Sequence, residues 1–163
     1  ADVVLIPEIP YDIDKLCAAC EKRAQQGKGF SILAVAEGAF DVEEAKMKKK
    51  ERAKARAEAG ITTASNRIAT QIQTSTGLET RVCVPGHMLR GGSPSAYDRI
   101  LATQFGVHAA ELIAQNKFGY AVAKIGDKIS ENKLSDVAGK TKFVPTDDQM
   151  VKTAKDIGIS FGD

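Results

Sequence analysis

The residues of this sequence best suited to chemistry lie in the stretch 79–106, ETRVCVPGHMLRGGSPSAYDRILATQFG. His87 and Arg90 stand three residues apart, and Gly91 and Gly92 follow directly. A guanidinium, an imidazole that can carry a proton and the free backbone N–H groups of a glycine-rich turn together bind anions. We therefore expect an anionic group such as a phosphate ester to bind here. The alternative is that His87 and Arg90 only cap the ends of neighbouring elements.

A strand before this turn and a helix after it are predicted to position the two side chains. Residues 80–84 have the composition of a short strand that ends at Pro85. Ser93 and Pro94 then offer an N-cap and a first-turn proline for a helix that ends at Gly106. The turn would therefore join the end of a strand to the beginning of a helix, which is where α/β proteins bind ligands.

Arg81 is separated from this pair by the length of the predicted strand. It precedes His87 by six residues, or roughly 20 Å of extended chain at about 3.3 Å per residue. One subunit therefore cannot easily bring both side chains to the same ligand. Arg81 is either a structural ion-pair partner or a contributor to the site of a neighbouring subunit.

Two glutamates also follow predicted strands. Glu37 comes after the apolar strand 31–36 and before Gly38, and Glu8 follows the first strand, 2–6. In parallel sheets, ligands bind beyond the carboxyl ends of the strands. A carboxylate at Glu37 is well placed there to accept hydrogen bonds from sugar hydroxyls, whereas Glu8 has the simpler interpretation of a residue that opens a loop.

The chain alternates apolar strands with amphipathic helices, which is typical of a three-layer α/β/α fold with a mainly parallel sheet. Asp41 with Glu44, and Thr146 with Gln149, are predicted to cap two helices, and Gly77 to close a third. The predicted strands are 2–6, 31–36, 80–84, 120–125 and 128–129, and the predicted helices are 12–26, 41–59, 65–76, 93–106, 108–116 and 146–156.

The amino-acid composition argues against two classes of function, membrane binding and nucleic-acid binding. The 163 residues carry a net charge of +2 and contain no apolar run of the length that spans a bilayer, so we expect no membrane partner. The charged segment 43–58 lacks aromatic residues and places acids within reach of its bases, so it is predicted to be a solvated surface insertion and not a nucleic-acid patch. Cys17 and Cys20 are predicted to lie on the buried face of a helix, and three cysteines fit a reducing compartment.

The sequence resembles the carboxy-terminal half of the 6-phosphofructokinase family. The blocks that carry the resemblance are LIPEIPYD, VAEGA, ETRV, GHMLRGGSPSAYDRILATQFG and ISFGD, and the likeness extends over nearly the whole chain. It implies the α/β fold of that family and an enzyme of glycolysis that phosphorylates the 1-hydroxyl of fructose 6-phosphate. It further implies that His87 and Arg90 hold the 6-phosphate, that Glu37 binds the sugar, and that Arg81 crosses a subunit interface to the neighbour's phosphate.

The amino-terminal half of the family is not represented in this sequence. No segment resembles its GGDG-type nucleotide turn or its T-x-D-N-D segment, and the first predicted strand begins almost at residue 1. We therefore expect a piece of a longer protein that is inactive alone, with no catalytic residue of its own. The resemblance implies that ATP or pyrophosphate, and most of the contacts to Mg²⁺, belong to the other half of a cytoplasmic homodimer or homotetramer.

The family fold also implies a division into domains. Residues 1–88 are expected to form part of the smaller, substrate-side domain, 89–143 to belong to the larger domain, and 144–163 to return to the smaller one.

Two departures from the family pattern concern regulation and the phosphoryl donor. Lys28 matches a basic effector-binding residue, but Gln26 and Phe30 replace others, so nucleotide or phosphoenolpyruvate control is not expected in its usual form. Pro85 and the charged insertion resemble the mixed-donor or pyrophosphate-using branch.

The alternative function is a non-catalytic phosphosugar-binding or regulatory module.

Overall fold

A computed structural model describes residues 1–61 and 63–163. The chain forms two compact units, one of Ala1–Val84 with Phe143–Asp163 and one of Pro85–Lys142. Which domain of the family each segment belongs to stays a prediction. The elements are β1 (Val3–Leu5), α1 (Ile13–Gln25), β2 (Leu33–Val35), α2 (Val42–Ala45), α3 (Lys49–Glu58), α4 (Ala64–Thr76), a 3-10 helix (Gly86–Arg90), α5 (Ala96–Ala114), β3 (Tyr120–Ile125), β4 (Lys128–Lys133), α6 (Leu134–Val137) and α7 (Gln149–Asp156).

The first unit contains a parallel pair of strands, β1 and β2, in the register Val3 to Leu33 and Leu5 to Val35. Val3 also forms a parallel bridge with Ser160, near the end of the chain. The predicted strands at 2–6 and 31–36 are thereby confirmed. Because both strands run in the same direction, the segments that follow Leu5 and Val35 emerge at the same edge of the sheet.

Helices α1 and α4 pack together and share a core with β1, as their apolar periodicity predicts. The Asp12 carboxylate caps α1 by accepting from the backbone N–H groups of Asp14 and Lys15, and Gly77 ends α4 with φ near 71°. The end of α4 at Gly77 is the predicted one, and α1 lies within the predicted range 12–26. The core residues are Val3, Leu5, Tyr11, Leu16, Cys17, Cys20, Ala39, Ile68 and Ile72.

Cys17 and Cys20 are buried apolar residues of α1, and both thiols are free. Burial raises the pKa of each thiol, so both stay protonated and unreactive near neutral pH. Their interpretation as core residues is confirmed.

The prediction of one helix over 41–59 is wrong, because the segment folds as α2 and α3 with a break between them. Asp41 does cap α2, accepting from the Glu44 N–H at 2.7 Å. The Glu44 side chain binds arginines instead of closing the capping box. Lys48 is extended and begins α3, where its N–H donates to the Glu51 carboxylate at 3.0 Å.

In the second unit, α5 lies against the hairpin of β3 and β4. The hairpin is antiparallel, and β4 is longer than the predicted 128–129. His108 of α5 hydrogen-bonds Glu131 of β4 at 2.9 Å. Helix α5 begins after Ser95, whose hydroxyl accepts from the Asp98 N–H; the predicted start at Ser93 and Pro94 is therefore wrong.

Helix α5 also runs without interruption through Gly106, where two separate helices were predicted. A glycine inside a helix costs only about 1 kcal/mol relative to alanine. The hydrogen bonds of the flanking turns outweigh that cost.

Two further predictions are wrong. The strand predicted over 80–84 has no partner strand among the described residues, and another residue caps α7 in place of the predicted one. Residues 80–84 form no strand, because no neighbouring strand pairs with them in the described chain, and Val84 is 66% exposed. Helix α7 is capped by the Asp148 carboxylate, which accepts from the Met150 N–H at 2.7 Å, and not by Thr146. A carboxylate is favoured there because it also interacts with the helix dipole.

Among the described helices, none is both long enough and apolar enough to cross a membrane.

Candidate functional site

The carboxyl edge of β1 and β2 carries Glu37 on a tight turn. The Ala36 N–H donates to the Leu5 carbonyl at 2.9 Å, and the Ala39 N–H closes the turn on the Ala36 carbonyl at 3.0 Å. A Cβ at Gly38 would lie 3.5 Å from the ring of Pro7, so the turns after β1 and β2 are in contact. Glu37 is exposed, and its carboxylate is therefore available to a ligand at this edge.

A network of buried charges lies beside this turn, with Arg67 of α4 at its centre. The Arg67 guanidinium is 2.9 Å from the Asp41 carboxylate and 2.7 Å from the Glu44 carboxylate, and its side chain is 9% exposed. Arg67 also donates to the Tyr11 hydroxyl at 2.9 Å, which donates to the Gln71 carbonyl oxygen at 3.1 Å. The network thereby ties α4 to the segments that follow β1 and β2.

Arg56 of α3 completes the network from the solvent side. Its Nε and Nη2 atoms donate to the two Glu44 oxygens at 2.8 and 2.7 Å. Arg56 Nη2 also donates to the carbonyl of Ala39 at 3.0 Å. Helix α3, predicted to be a solvated face, thus sends Arg56 inward to the turn that carries Glu37, and its Arg52 side chain packs on the Phe40 ring.

The positive charges determine the ionisation of this network. Burial alone would raise the pKa of Glu44, but the hydrogen bond from Arg56 and the charges of Arg67 and Arg56 hold that pKa below its usual value. Burial raises the pKa of the Tyr11 hydroxyl to about 12, against the opposing effect of Arg67. Glu44 is therefore ionised and Tyr11 neutral throughout the physiological pH range.

Sequence reasoning missed this network. Asp41 and Glu44 were noticed only as a capping pair. Arg56 and Arg67 lie 12 and 26 residues from their partners Glu44 and Asp41, a separation at which no local pattern indicates pairing.

His87 and Arg90 lie on the 3-10 helix of the second unit. Such a helix has three residues per turn, so these two side chains lie on the same face, about 6 Å apart along the axis at roughly 2 Å per residue. Both side chains are exposed. They form an adjacent imidazole and guanidinium, the pair that the sequence predicted for binding an anion.

The glycines around this helix have positions that other residues would not tolerate. Gly92 has φ near 95°, which only glycine adopts without strain. A Cβ at Gly91 would lie 3.3 Å from the Met88 carbonyl oxygen, which is a tight contact with backbone. The Gly-Gly pair therefore allows the chain to turn directly after Arg90.

Arg81 is exposed in an irregular segment of the first unit. Its guanidinium forms an ion pair at 2.8 Å with Glu79, and its side chain is 87% exposed. An exposed pair of this kind contributes little to stability, which leaves Arg81 able to exchange Glu79 for another anion. Because residues 80–84 are not a strand, the separation inferred from strand geometry does not apply, and the role of Arg81 at a neighbouring subunit stays a prediction.

Glu8 and Lys28 have no part in the arrangement just described. The Glu8 carboxylate accepts from the Val144 N–H at 3.1 Å, in keeping with a loop residue. Lys28 follows the end of α1, where its backbone N–H donates to the Arg23 carbonyl, and its side chain is exposed. Its effector role stays a prediction.

The candidate residues are divided between the two units. Glu37 and Arg81 belong to the first unit, and His87 and Arg90 to the second. In the second unit, His87 and Arg90 can bind an anion. In the first unit, the Glu37 carboxylate can accept hydrogen bonds from a neutral polar ligand. Among the described residues, no group of three or more His, Cys, Asp or Glu could hold a metal ion.

Comparisons with known proteins agree on one family. The model of the family described as Phosphofructokinase matches residues 1–113. The chain is 46% identical over 162 residues to the ATP-dependent 6-phosphofructokinase of Spirochaeta thermophila, which covers 99% of this chain and 44% of that protein. It is 43% identical over 167 residues to ATP-dependent 6-phosphofructokinase 2 of Clostridium perfringens, which covers 100% of this chain and 45% of that protein.

A solved structure shows the same fold. The pyrophosphate-dependent phosphofructokinase of Marinobacter aquaeolei superposes with a TM-score of 0.66 at 21% identity, over 98% of this chain and 40% of that one. The chain spans less than half the length of the curated relatives it matches.

Proposed function

The chain belongs to the phosphofructokinase family, and from that premise we propose that it is the fructose 6-phosphate-binding half of a 6-phosphofructokinase. Its α/β fold with a parallel strand pair is the phosphofructokinase fold. The observation that carries the proposal is the placement of His87 and Arg90 on one face of a 3-10 helix that ends at Gly91 and Gly92. This arrangement matches the chemistry of a sugar phosphate.

In this proposal three side chains each bind one part of the substrate. Arg90 donates charged hydrogen bonds to the 6-phosphate, and His87 donates another from a ring N–H. Glu37 accepts hydrogen bonds from the sugar hydroxyls. In this proposal the phosphate contacts orient the 1-hydroxyl toward the donor, and such orientation is the main contribution a protein makes to phosphoryl transfer.

The donor and the metal ion would be bound outside this chain. The names of the relatives at 46% and 43% identity favour ATP, whereas Pro85 and the charged insertion favoured the pyrophosphate branch. Magnesium belongs with the donor phosphates in this proposal. We place the reaction in the cytoplasm, as a step of glycolysis, which agrees with the free thiols of Cys17, Cys20 and Cys83.

An assay of the full-length protein tests the proposal. With fructose 6-phosphate, magnesium and either ATP or pyrophosphate, the full-length protein is expected to form fructose 1,6-bisphosphate, and ATP is expected to be the better donor. Binding of fructose 6-phosphate without turnover would favour a regulatory module instead. Neither binding nor turnover would contradict the proposal as a whole.

The proposed homodimer or homotetramer places Arg81 in the site of a neighbouring subunit, which makes a second prediction. Full-length Arg81→Ala subunits, mixed with Arg90→Ala subunits, are expected to regain activity in hybrids. A hybrid has one site with its own Arg90 and the neighbour's Arg81, so random exchange of dimers restores on the order of a quarter of wild-type activity. Activity equal to the mean of the two separate variants would contradict a shared site.

A further inference from the structure

We propose that Arg56, held by Glu44, is a positioning residue for the turn that carries Glu37. The charged insertion at α3 would then serve the sugar site and not merely cover the surface. This inference rests on the proposed function, because that function assigns the sugar to Glu37. It adds a role for two residues that do not touch the substrate themselves.

The contact that carries the inference joins Arg56 to the end of the Glu37 turn. Arg56 Nη2 donates to the Ala39 carbonyl at 3.0 Å, and Ala39 is 0% exposed. The same residue closes the turn through its N–H, which donates to Ala36. Ala39 therefore has both backbone groups hydrogen-bonded, one to the beginning of the turn and one to Arg56.

Glu44 fixes the direction of the Arg56 guanidinium. Two hydrogen bonds, at 2.8 and 2.7 Å, hold the guanidinium plane against the carboxylate. Arg67 holds the same carboxylate from the core side at 2.7 Å. A guanidinium held by two parallel hydrogen bonds has little freedom to rotate. The third hydrogen bond of Arg56, to the Ala39 carbonyl, therefore has a defined direction.

Lys54 shows what a solvated side chain looks like in the same helix. Lys54 is 78% exposed and pairs only with Glu58, at 3.7 Å. Arg56 is largely covered by comparison. Lys54 therefore provides a matched control for loss of a positive charge from α3.

Loss of Arg56 leaves a buried carbonyl without its donor and frees the end of the turn. A carboxylate on a loosened turn binds the sugar in fewer of its conformations, so substrate affinity falls. The rate of the bound complex depends on groups outside this turn. The effect should therefore appear mainly in KM.

The test uses the full-length protein with Arg56→Ala, Arg56→Lys and Lys54→Ala, each alone and combined with Glu37→Gln. Arg56→Ala is expected to raise KM for fructose 6-phosphate about tenfold with kcat changed less than about threefold. Arg56→Lys is expected to rescue only part of this rise, because a single ammonium cannot hold Glu44 and Ala39 together. Lys54→Ala is expected to behave as the wild type.

The combination with Glu37→Gln separates positioning from a general loss of structure. If Arg56 acts through Glu37, adding Arg56→Ala to Glu37→Gln should raise KM by less than about twofold further. A tenfold rise in both backgrounds would overturn the inference, as would an unchanged KM in Arg56→Ala beside a raised KM in Glu37→Gln. An unchanged KM in Glu37→Gln would overturn the sugar-binding role of Glu37 and the inference with it, whereas the phosphate-binding role of Arg90 would be untouched.

Discussion

Replacing Arg90 by alanine in the full-length protein is expected to lower kcat/KM for fructose 6-phosphate about 30-fold or more, which corresponds to about 2 kcal/mol. The guanidinium lies on the same face of the 3-10 helix as His87, and its charged hydrogen bonds would be lost from the substrate phosphate. Steady-state kinetics with varied fructose 6-phosphate and saturating donor measures this change. The KM for the donor should stay within about twofold of the wild-type value.

Two companion variants make the Arg90 result specific. Arg90→Lys keeps the charge but loses the planar fork, so we expect it to recover only part of the loss. Lys140→Ala removes an exposed positive charge from the same unit and is expected to leave the kinetics unchanged. An Arg90→Ala enzyme with wild-type kcat and KM would remove Arg90 from the site.

The second large effect is expected on stability, from Arg67→Ala. This substitution removes the guanidinium between the half-buried carboxylate of Asp41 and the buried carboxylate of Glu44 and leaves the Tyr11 hydroxyl without its donor. Breaking a buried ion pair by removing one partner costs about 3–5 kcal/mol. Urea unfolding of the full-length protein should show a lower midpoint, and hydrogen exchange should show faster exchange in peptides that cover α1 and α4.

Hydrogen exchange distinguishes a local effect from a global one. Peptides from 96–114, in the other unit, should keep their wild-type rates at low urea. The control is Lys54→Ala, which removes an exposed positive charge that has only a weak surface partner. If Arg67→Ala shifts the midpoint no more than Lys54→Ala does, the buried network does not stabilise the first unit.

Some local start and stop signals were predicted correctly, whereas those at Ser93, Gly106 and Thr146 were not. Helix α1 begins after Asp12, within the predicted 12–26, and Gly77 ends α4 as expected. These residues act on the backbone within three or four positions. Such a signal can therefore be recognised from the residues around it.

Elements that depend on a partner elsewhere were predicted less well. Residues 80–84 have strand-forming side chains, but a strand requires another strand to accept and donate its hydrogen bonds. The predicted helix over 41–59 ends its first part at Ala45, and Glu44 in that part pairs with Arg67 of α4. Such partners lie outside the segment whose conformation is predicted.

Residue types and short spacings are enough to nominate His87, Arg90 and Glu37 as candidate ligand contacts, because each is recognised from its immediate neighbours. The contacts that support Glu37 come from residues far away in the sequence. Contacts between Tyr11 and Arg67 cross 56 residues, and the Arg56 contact to Ala39 crosses 17. Local patterns indicate which face of a helix is buried, but they do not indicate which distant side chains meet there, because that depends on how the elements pack.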